Sequence, residues 1–176
     1  MSKLPWDGET DTDRLMKPRR RFHDGNSLPA QVFVFGSNLM GDHMGGAAKF
    51  AYERRGASTG LGQGLAERWS SVDRMDVRSY ALPTMAMLGV PLTLEGVRAA
   101  VTLFKVFAYI REDLEFFVTP VGCGIAGFKH EDIAPMFADA PMNCVLPPEW
   151  RSLLETPTVL PAVKSPYGDD DFKPGY

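Results

Sequence analysis

The sequence is poor in cysteine, carries no excess of positive charge and contains no long hydrophobic run. Its two cysteines, Cys123 and Cys144, are too few for a disulfide framework or a paired-cysteine zinc motif, so we predict no metal site. The formal net charge of −3 over 176 residues argues against a nucleic-acid-binding protein, which would need a basic face. No apolar stretch has the length of a membrane span or the form of a signal peptide, so we expect no membrane partner and a cytoplasmic location.

Composition divides the chain into a central domain and two polar ends. Residues 1–30 are mixed in charge and without periodicity, which predicts a flexible N-terminal arm, and residues 31–150 have the character of one domain. Residues 151–176 end in KSPYGDDDFKPGY, which predicts a C-terminal tail that is disordered at its end. A basic cluster at residues 17–21 is either a solvated surface or a contact for an acidic partner.

The central domain alternates strand and helix patterns. Helices are predicted at 45–55, from the cap residue Thr93 onward, and after the glycines near 125, whereas GASTGLGQGLAERWSS is predicted to be a loop. The predicted strands are QVFVF, RSYALPT, EFFVTPV and NCVLP, which are short apolar runs suited to a buried sheet. This alternation predicts a three-layer α/β domain.

Two of these strands run into glycine-rich turns that are followed by helices. The first glycine loop (residues 36–46) reads GSNLMGDHMGG, and the second glycine loop (residues 121–128) reads VGCGIAGF. Ligands of open α/β sheets lie beyond the carboxyl ends of the strands, and glycine lets successive N–H groups converge on one anion. One such loop can be only a tight turn, but two on different strands predict a cradle that holds a diphosphate from both sides.

The residues GSNLMGDHMGGAAKFA and VGCGIAGF resemble the two phosphate loops of macro domains, and the order of segments agrees over residues 32–146. The resemblance is closest to small macro-like proteins of bacteria and phages. It implies an α/β/α domain with a mixed central sheet, and it implies binding of ADP-ribose or a related nucleotide without a cofactor. The expected partner is the free nucleotide or an ADP-ribosylated macromolecule. Neither the nucleotide nor the oligomeric state follows from the resemblance.

Carried over position by position, the resemblance also implies a set of ligand-contacting residues. Asn38 would hydrogen-bond the distal ribose, and Phe128 would pack against that ribose or the base. The full set is Gly36, Ser37, Asn38, Gly45, Gly46, Ala47, Gly122, Cys123, Gly124, Ile125, Ala126, Gly127 and Phe128.

The candidates for catalysis are Asn38, Asp42 and His43. His43 is either an acid–base group near neutral pH or an exposed loop histidine, and Asp42 is either a water-orienting carboxylate or a helix cap. Hydrolytic macro proteins commonly carry an aspartate after the glycines, where this chain has Ala47 and its successors Ala48 and Lys49. Two functions therefore stay open: an ADP-ribosyl hydrolase, or a non-catalytic binder that sequesters a nucleotide signal or serves a phage in host takeover.

Cys123 also has two interpretations. A thiol between two glycines at the start of a helix suits a reactive nucleophile, whereas a small buried residue serves the turn equally well. No signature of a cysteine hydrolase surrounds it, so the sequence favours an inert thiol.

Overall fold

The computed structural model describes residues 20–155. The predictions of a flexible arm at 1–19 and of a disordered end after 155 lie outside these residues. Within residues 20–155, no helix combines the length and the apolar character that a membrane span requires.

Short strands and four helices make up the described domain. The strands are β1 Arg21–Phe22, β2 Val32–Asn38, β3 Gly64–Ser70, β4 Met75–Met87, β5 Val90–Pro91, β6 Phe116–Val118 and β7 Cys144–Leu146. The helices are α1 Gly46–Arg54, α2 Leu94–Ile110, α3 His130–Ile133 and α4 Arg151–Glu155, with 3-10 turns at Ala134–Phe137 and Pro148–Trp150. The predicted cap of α2 is confirmed, because the Thr93 hydroxyl accepts a hydrogen bond from the Gly96 N–H at 3.1 Å.

The sheet is mixed and runs in the order β1-β7-β6-β2-β4-β3, with β5 paired to β4. Strand β2 lies between β6 and β4 and is parallel to both. Strands β3 and β5 are antiparallel to β4. The three central parallel strands β6, β2 and β4 therefore end at the same edge of the sheet, where ligands of such sheets bind.

Successive side chains of β2 point to opposite faces of the sheet and pack into two separate apolar clusters. Val32 and Val34 belong to the larger cluster, which contains Phe104 and the rest of the inner face of α2. Phe33 and Phe35 belong to a smaller cluster, which contains Ala48 and Ala51 of α1. Helices thus cover both faces, and the predicted three-layer α/β/α architecture with a mixed sheet is confirmed.

The segment predicted as a glycine-rich loop contains strand β3, which pairs with β4 along its whole length. Glu67, Arg68 and Trp69 are all exposed, because β3 is the edge of the sheet and packs little of its surface. Without a regular alternation of buried and exposed residues, the period-2 signal of a strand is missing.

The folded unit also extends beyond the predicted limits of 31 and 150. Arg21–Phe22 pairs with β7, and the Arg20 guanidinium donates to the carbonyl oxygens of Ala138 and Leu154 at 2.8 and 3.0 Å. Residues 151–155 form α4 rather than the start of a tail. A strand of two residues is too short to show an alternating pattern in the sequence. The prediction that this segment belongs to the N-terminal arm therefore rested on composition alone.

Candidate functional site

A cavity of about 310 Å³ opens where β2, β4 and β6 end and the two glycine loops meet. Twelve of the predicted site residues line it: Gly36, Ser37, Asn38, Asp42, Gly45, Gly46, Ala47, Gly122, Cys123, Gly124, Ile125 and Ala126. His43, Gly127 and Phe128 do not line it. Its size lies at the lower end of the range of small-molecule sites.

The first anion-binding feature of the cavity is the N-terminus of α1. Its cap residue Gly45 offers no side-chain hydrogen bond, and the first bond of the helix runs from the Lys49 N–H to the Gly45 carbonyl at 3.1 Å. Within residues 20–155, the N–H groups of Gly46, Ala47 and Ala48 therefore have no protein acceptor, and all three residues line the cavity. Such N–H groups, at the positive end of the helix dipole, attract an anion.

The second feature is the loop after β6. Turn hydrogen bonds engage the N–H groups of Cys123, Gly127 and Phe128. The N–H groups of residues 124–126 meet no acceptor in the described chain, although all three residues line the cavity. Gly122 enables this turn, because its φ is +76° and a Cβ there would lie 3.0 Å from the Phe128 ring.

The two loops touch across the cavity. The Cδ1 atom of Ile125 lies 3.2 Å from the position that a Cβ on Gly45 would take and 3.6 Å from that of a Cβ on Gly46. Two sets of unengaged N–H groups, one from each loop, thus border the same small space.

The buried side chain of Asn38 stabilises the first glycine loop by hydrogen bonds to its backbone. It is 1% exposed, its Oδ1 accepts from the Asp42 N–H at 3.1 Å, and its Nδ2 donates to the Asp42 carbonyl at 3.2 Å. Asn38 borders the cavity, but both ends of its amide already serve the loop. This role replaces part of the sugar-binding role that the resemblance implied.

His43 is neither a cavity residue nor an exposed loop residue. It is 6% exposed, its Nε2 donates to the Ser58 carbonyl at 2.9 Å, and its ring stands edge-on to Phe35. The predicted acid–base role is therefore not supported, because the ring packs into the core beneath the loop. A position in a loop does not reveal the direction of the side chain, so the sequence alone could not show that His43 lies outside the cavity lining.

Phe128 also packs inward, against the larger apolar cluster, and not along the cavity. Its ring lies against Gly122 and so supports the turn of the second loop. The contact with a ribose or base implied for this residue therefore stays a prediction, with Phe128 half-buried and outside the cavity lining.

The electrostatics of the cavity come from the backbone and from carboxylates. Among the described residues that line it there is no lysine or arginine, and its carboxylates are those of Asp42 and Glu149. Burial, followed by the charge of Glu149, raises the pKa of the Cys123 thiol to about 11. The thiol is thus protonated near neutral pH, which agrees with the inert interpretation.

Two residues that sequence reasoning missed, His130 and Glu149, line the cavity beside Cys123. The indole N–H of Trp150 donates to His130 Nδ1 at 3.0 Å. Trp150 is fully buried, and a buried indole N–H requires an acceptor. The need of Trp150 for an acceptor was the available signal, but the two partners are 20 positions apart in the sequence, so no local pattern pointed to His130.

No protein-family model matches the chain, and no curated protein matches it. Among solved structures, the macrodomain of Mycobacterium tuberculosis DarG is similar, with 17% identity, a TM-score of 0.54 and coverage of 74% of this chain and 97% of that one. Thermosipho africanus DarTG in complex with ADP-ribose is similar at 17% identity and a TM-score of 0.51. That match covers 69% of this chain and 39% of the DarTG chain. At these identities the likeness establishes the fold.

Proposed function

We propose that this chain, which has the macrodomain fold, binds ADP-ribose or a related nucleotide diphosphate through the backbone of its two glycine loops. The observation that carries the proposal is that two groups of backbone N–H donors border one cavity. The N–H groups of residues 46–48 and of residues 124–126 have no acceptor within the described residues. A diphosphate has oxygens on both sides and can accept from both sets. The solved complex of DarTG with ADP-ribose supports the choice of ligand class.

Recognition by the backbone suits the charge of the site. Because no lysine or arginine of the described residues lines the cavity, the ligand's negative charge would be held by N–H dipoles and the α1 terminus. Lys49, the nearest cation along α1, is exposed and lies 3.9 Å from Glu53 one turn away. Lys49 is therefore a surface cation of α1 and not part of the cavity lining.

Within this proposal, binding without efficient turnover fits the site better than hydrolysis. His43 lies outside the cavity, the Cys123 thiol is protonated near neutral pH, and Ala47 and Ala48 supply no carboxylate at the start of α1, which leaves Asp42 and Glu149 as the carboxylates of the cavity that could serve as a base. General acid–base assistance is worth roughly a hundred- to ten-thousand-fold in rate. A protein of this kind would act by sequestering a nucleotide or by docking on an ADP-ribosylated macromolecule, and service to a phage in host takeover is one setting for either.

Calorimetry with ADP-ribose, ADP, NAD and pyrophosphate tests the binding proposal. We expect saturable 1:1 binding of ADP-ribose and a matching thermal shift, because a ligand at a hundred times its Kd stabilises the fold by about 2.7 kcal/mol. Absence of heat and of any shift with all four ligands would refute it. Release of ADP-ribose from a modified protein, measured separately, would favour the hydrolase over the binder.

A further inference from the structure

Two residues of the cavity lining supply a side-chain donor and a side-chain acceptor. His130 opens α3 and Glu149 lies in the 3-10 turn before α4, and both line the cavity together with Cys123. Their closeness follows from the bond between Trp150, the residue after Glu149, and the His130 ring. We call His130 and Glu149 the hydroxyl end of the cavity.

Trp150 fixes which nitrogen of His130 carries the hydrogen. An indole N–H can only donate, so His130 Nδ1 at 3.0 Å must be the acceptor. In the neutral ring the hydrogen then lies on Nε2. Trp150 is itself immobile, since it is fully buried and its ring centroid lies 5.0 Å from that of Phe137. The Nε2–H of His130 is thereby a fixed donor, and no protein acceptor within residues 20–155 engages it.

Glu149 supplies the complementary acceptor. Its carboxylate is exposed, and within the described residues no lysine or arginine forms an ion pair with it. Glu149 itself lines the cavity, and besides burial its charge raises the pKa of the Cys123 thiol, as do the charges of Glu131 and Asp132, which do not line the cavity. A carboxylate accepts from hydroxyl groups and repels phosphate.

A neighbouring N–H donor and carboxylate match the hydroxyls of a sugar, each of which can both accept and donate. We infer that His130 and Glu149 read a ribose diol of the bound nucleotide and exclude phosphate from this end of the cavity. The inference rests on the proposed function, since it assigns the diphosphate to the glycine loops and the sugar to the hydroxyl end. It makes these two residues determinants of specificity for a sugar-bearing diphosphate over a bare one.

The test compares ADP-ribose with pyrophosphate, which has no hydroxyl-bearing sugar, by calorimetry on wild type and two variants. Glu149→Gln keeps the shape and removes the charge. His130→Asn keeps a side-chain acceptor near the Nδ1 position for Trp150 but does not reach the Nε2 position. Each variant should weaken ADP-ribose about tenfold, the worth of one hydrogen bond to a charged or fixed partner. Pyrophosphate affinity should stay unchanged with His130→Asn and stay unchanged or rise with Glu149→Gln, because a repelling charge is gone.

Glu131→Gln is the matched control. Glu131 is exposed, follows His130 directly and does not line the cavity, so its loss changes the local charge equally without removing a ligand contact. We expect wild-type affinities for both ligands.

Other results would overturn the hydroxyl end alone, or the hydroxyl end together with the proposed function. Equal weakening of both ligands in Glu149→Gln and His130→Asn, or unchanged ADP-ribose affinity in both, would overturn the hydroxyl end. A wild type that binds pyrophosphate as tightly as ADP-ribose would overturn it while leaving the diphosphate site in place. A wild type that binds neither would overturn the hydroxyl end and the proposed function together.

Discussion

Replacing Gly46 by valine should abolish ligand binding while leaving the protein folded. Gly46 is the first residue of α1, its φ is +54°, and its own N–H is one of the donors that border the cavity. A Cβ at this position would lie 3.6 Å from the Cδ1 atom of Ile125. The valine side chain would therefore enter the narrow space between the two glycine loops, where we propose that the diphosphate binds.

The expected magnitudes separate folding from binding. A left-handed conformation costs a residue other than glycine roughly 1–2 kcal/mol, which in a domain of this size lowers the Tm by about 2–8 °C. Hydrogen bonds to a charged phosphate are worth about 1.5–3 kcal/mol each. Loss of even two of them would weaken ADP-ribose by at least a hundredfold, as each 1.4 kcal/mol is a factor of ten.

Calorimetry with ADP-ribose and thermal melts without ligand measure the two effects independently. Gly25→Val is the matched control, because Gly25 also has a left-handed φ of +93°, has open space around a Cβ and does not line the cavity. It should lose a similar amount of stability and none of its affinity. If Gly46→Val binds as tightly as Gly25→Val, the backbone cradle is wrong.

Gly124→Val provides a second, independent test from the other loop. Unlike Gly46, Gly124 has a φ outside the left-handed region and open space around a Cβ. The variant should therefore keep the wild-type Tm and still lose ADP-ribose affinity. Wild-type affinity would remove the second loop from the proposed site.

Three further outcomes can be measured. Asn38→Ala should lower the free energy of unfolding by about 1–3 kcal/mol in urea melts, because it removes both loop bonds to Asp42 from a buried position; wild-type stability would contradict this role. His43→Ala should lower stability but change ADP-ribose affinity less than twofold, and a tenfold loss of affinity would restore the histidine to the site. Alkylation of Cys123 by iodoacetamide, followed by mass spectrometry, should be slow at pH 8 and keep accelerating beyond pH 9, because the pKa is raised to about 11; a rate that levels off near pH 8 would contradict a protonated thiol.

The central strands could be predicted because their residues are buried throughout, and the long helix could be predicted because its buried residues recur on one face. Val32 to Phe35 are buried on both faces of the sheet, so the continuous apolar run indicated a strand directly. Strand β3 could not be found this way, although it forms a hairpin with β4 through the turn at residues 71–74, because its exposed residues carry no alternating pattern.

The site divides in a similar way. The glycine loops are contiguous in sequence and their chemistry is that of the backbone, so they could be recognised from GSNLMGDHMGG and VGCGIAGF. The directions of His43 and Phe128 depend on packing against distant residues and could not be recognised. His130 and Glu149 come together only through the pairing of β6 with β7 and the Trp150 bond, which no local pattern records.

Strand β1 has a consequence for the solution behaviour of the protein. Its two residues cover the backbone of β7 at one edge of the sheet, and Arg20 joins them to the 3-10 turn region and to α4. A chain beginning at residue 23 would leave the β7 edge with unpaired N–H and carbonyl groups beside buried apolar side chains, which is a template for pairing with another molecule. We therefore expect β1 to limit self-association by pairing with the β7 edge, although it contributes little to the core and lies apart from the cavity.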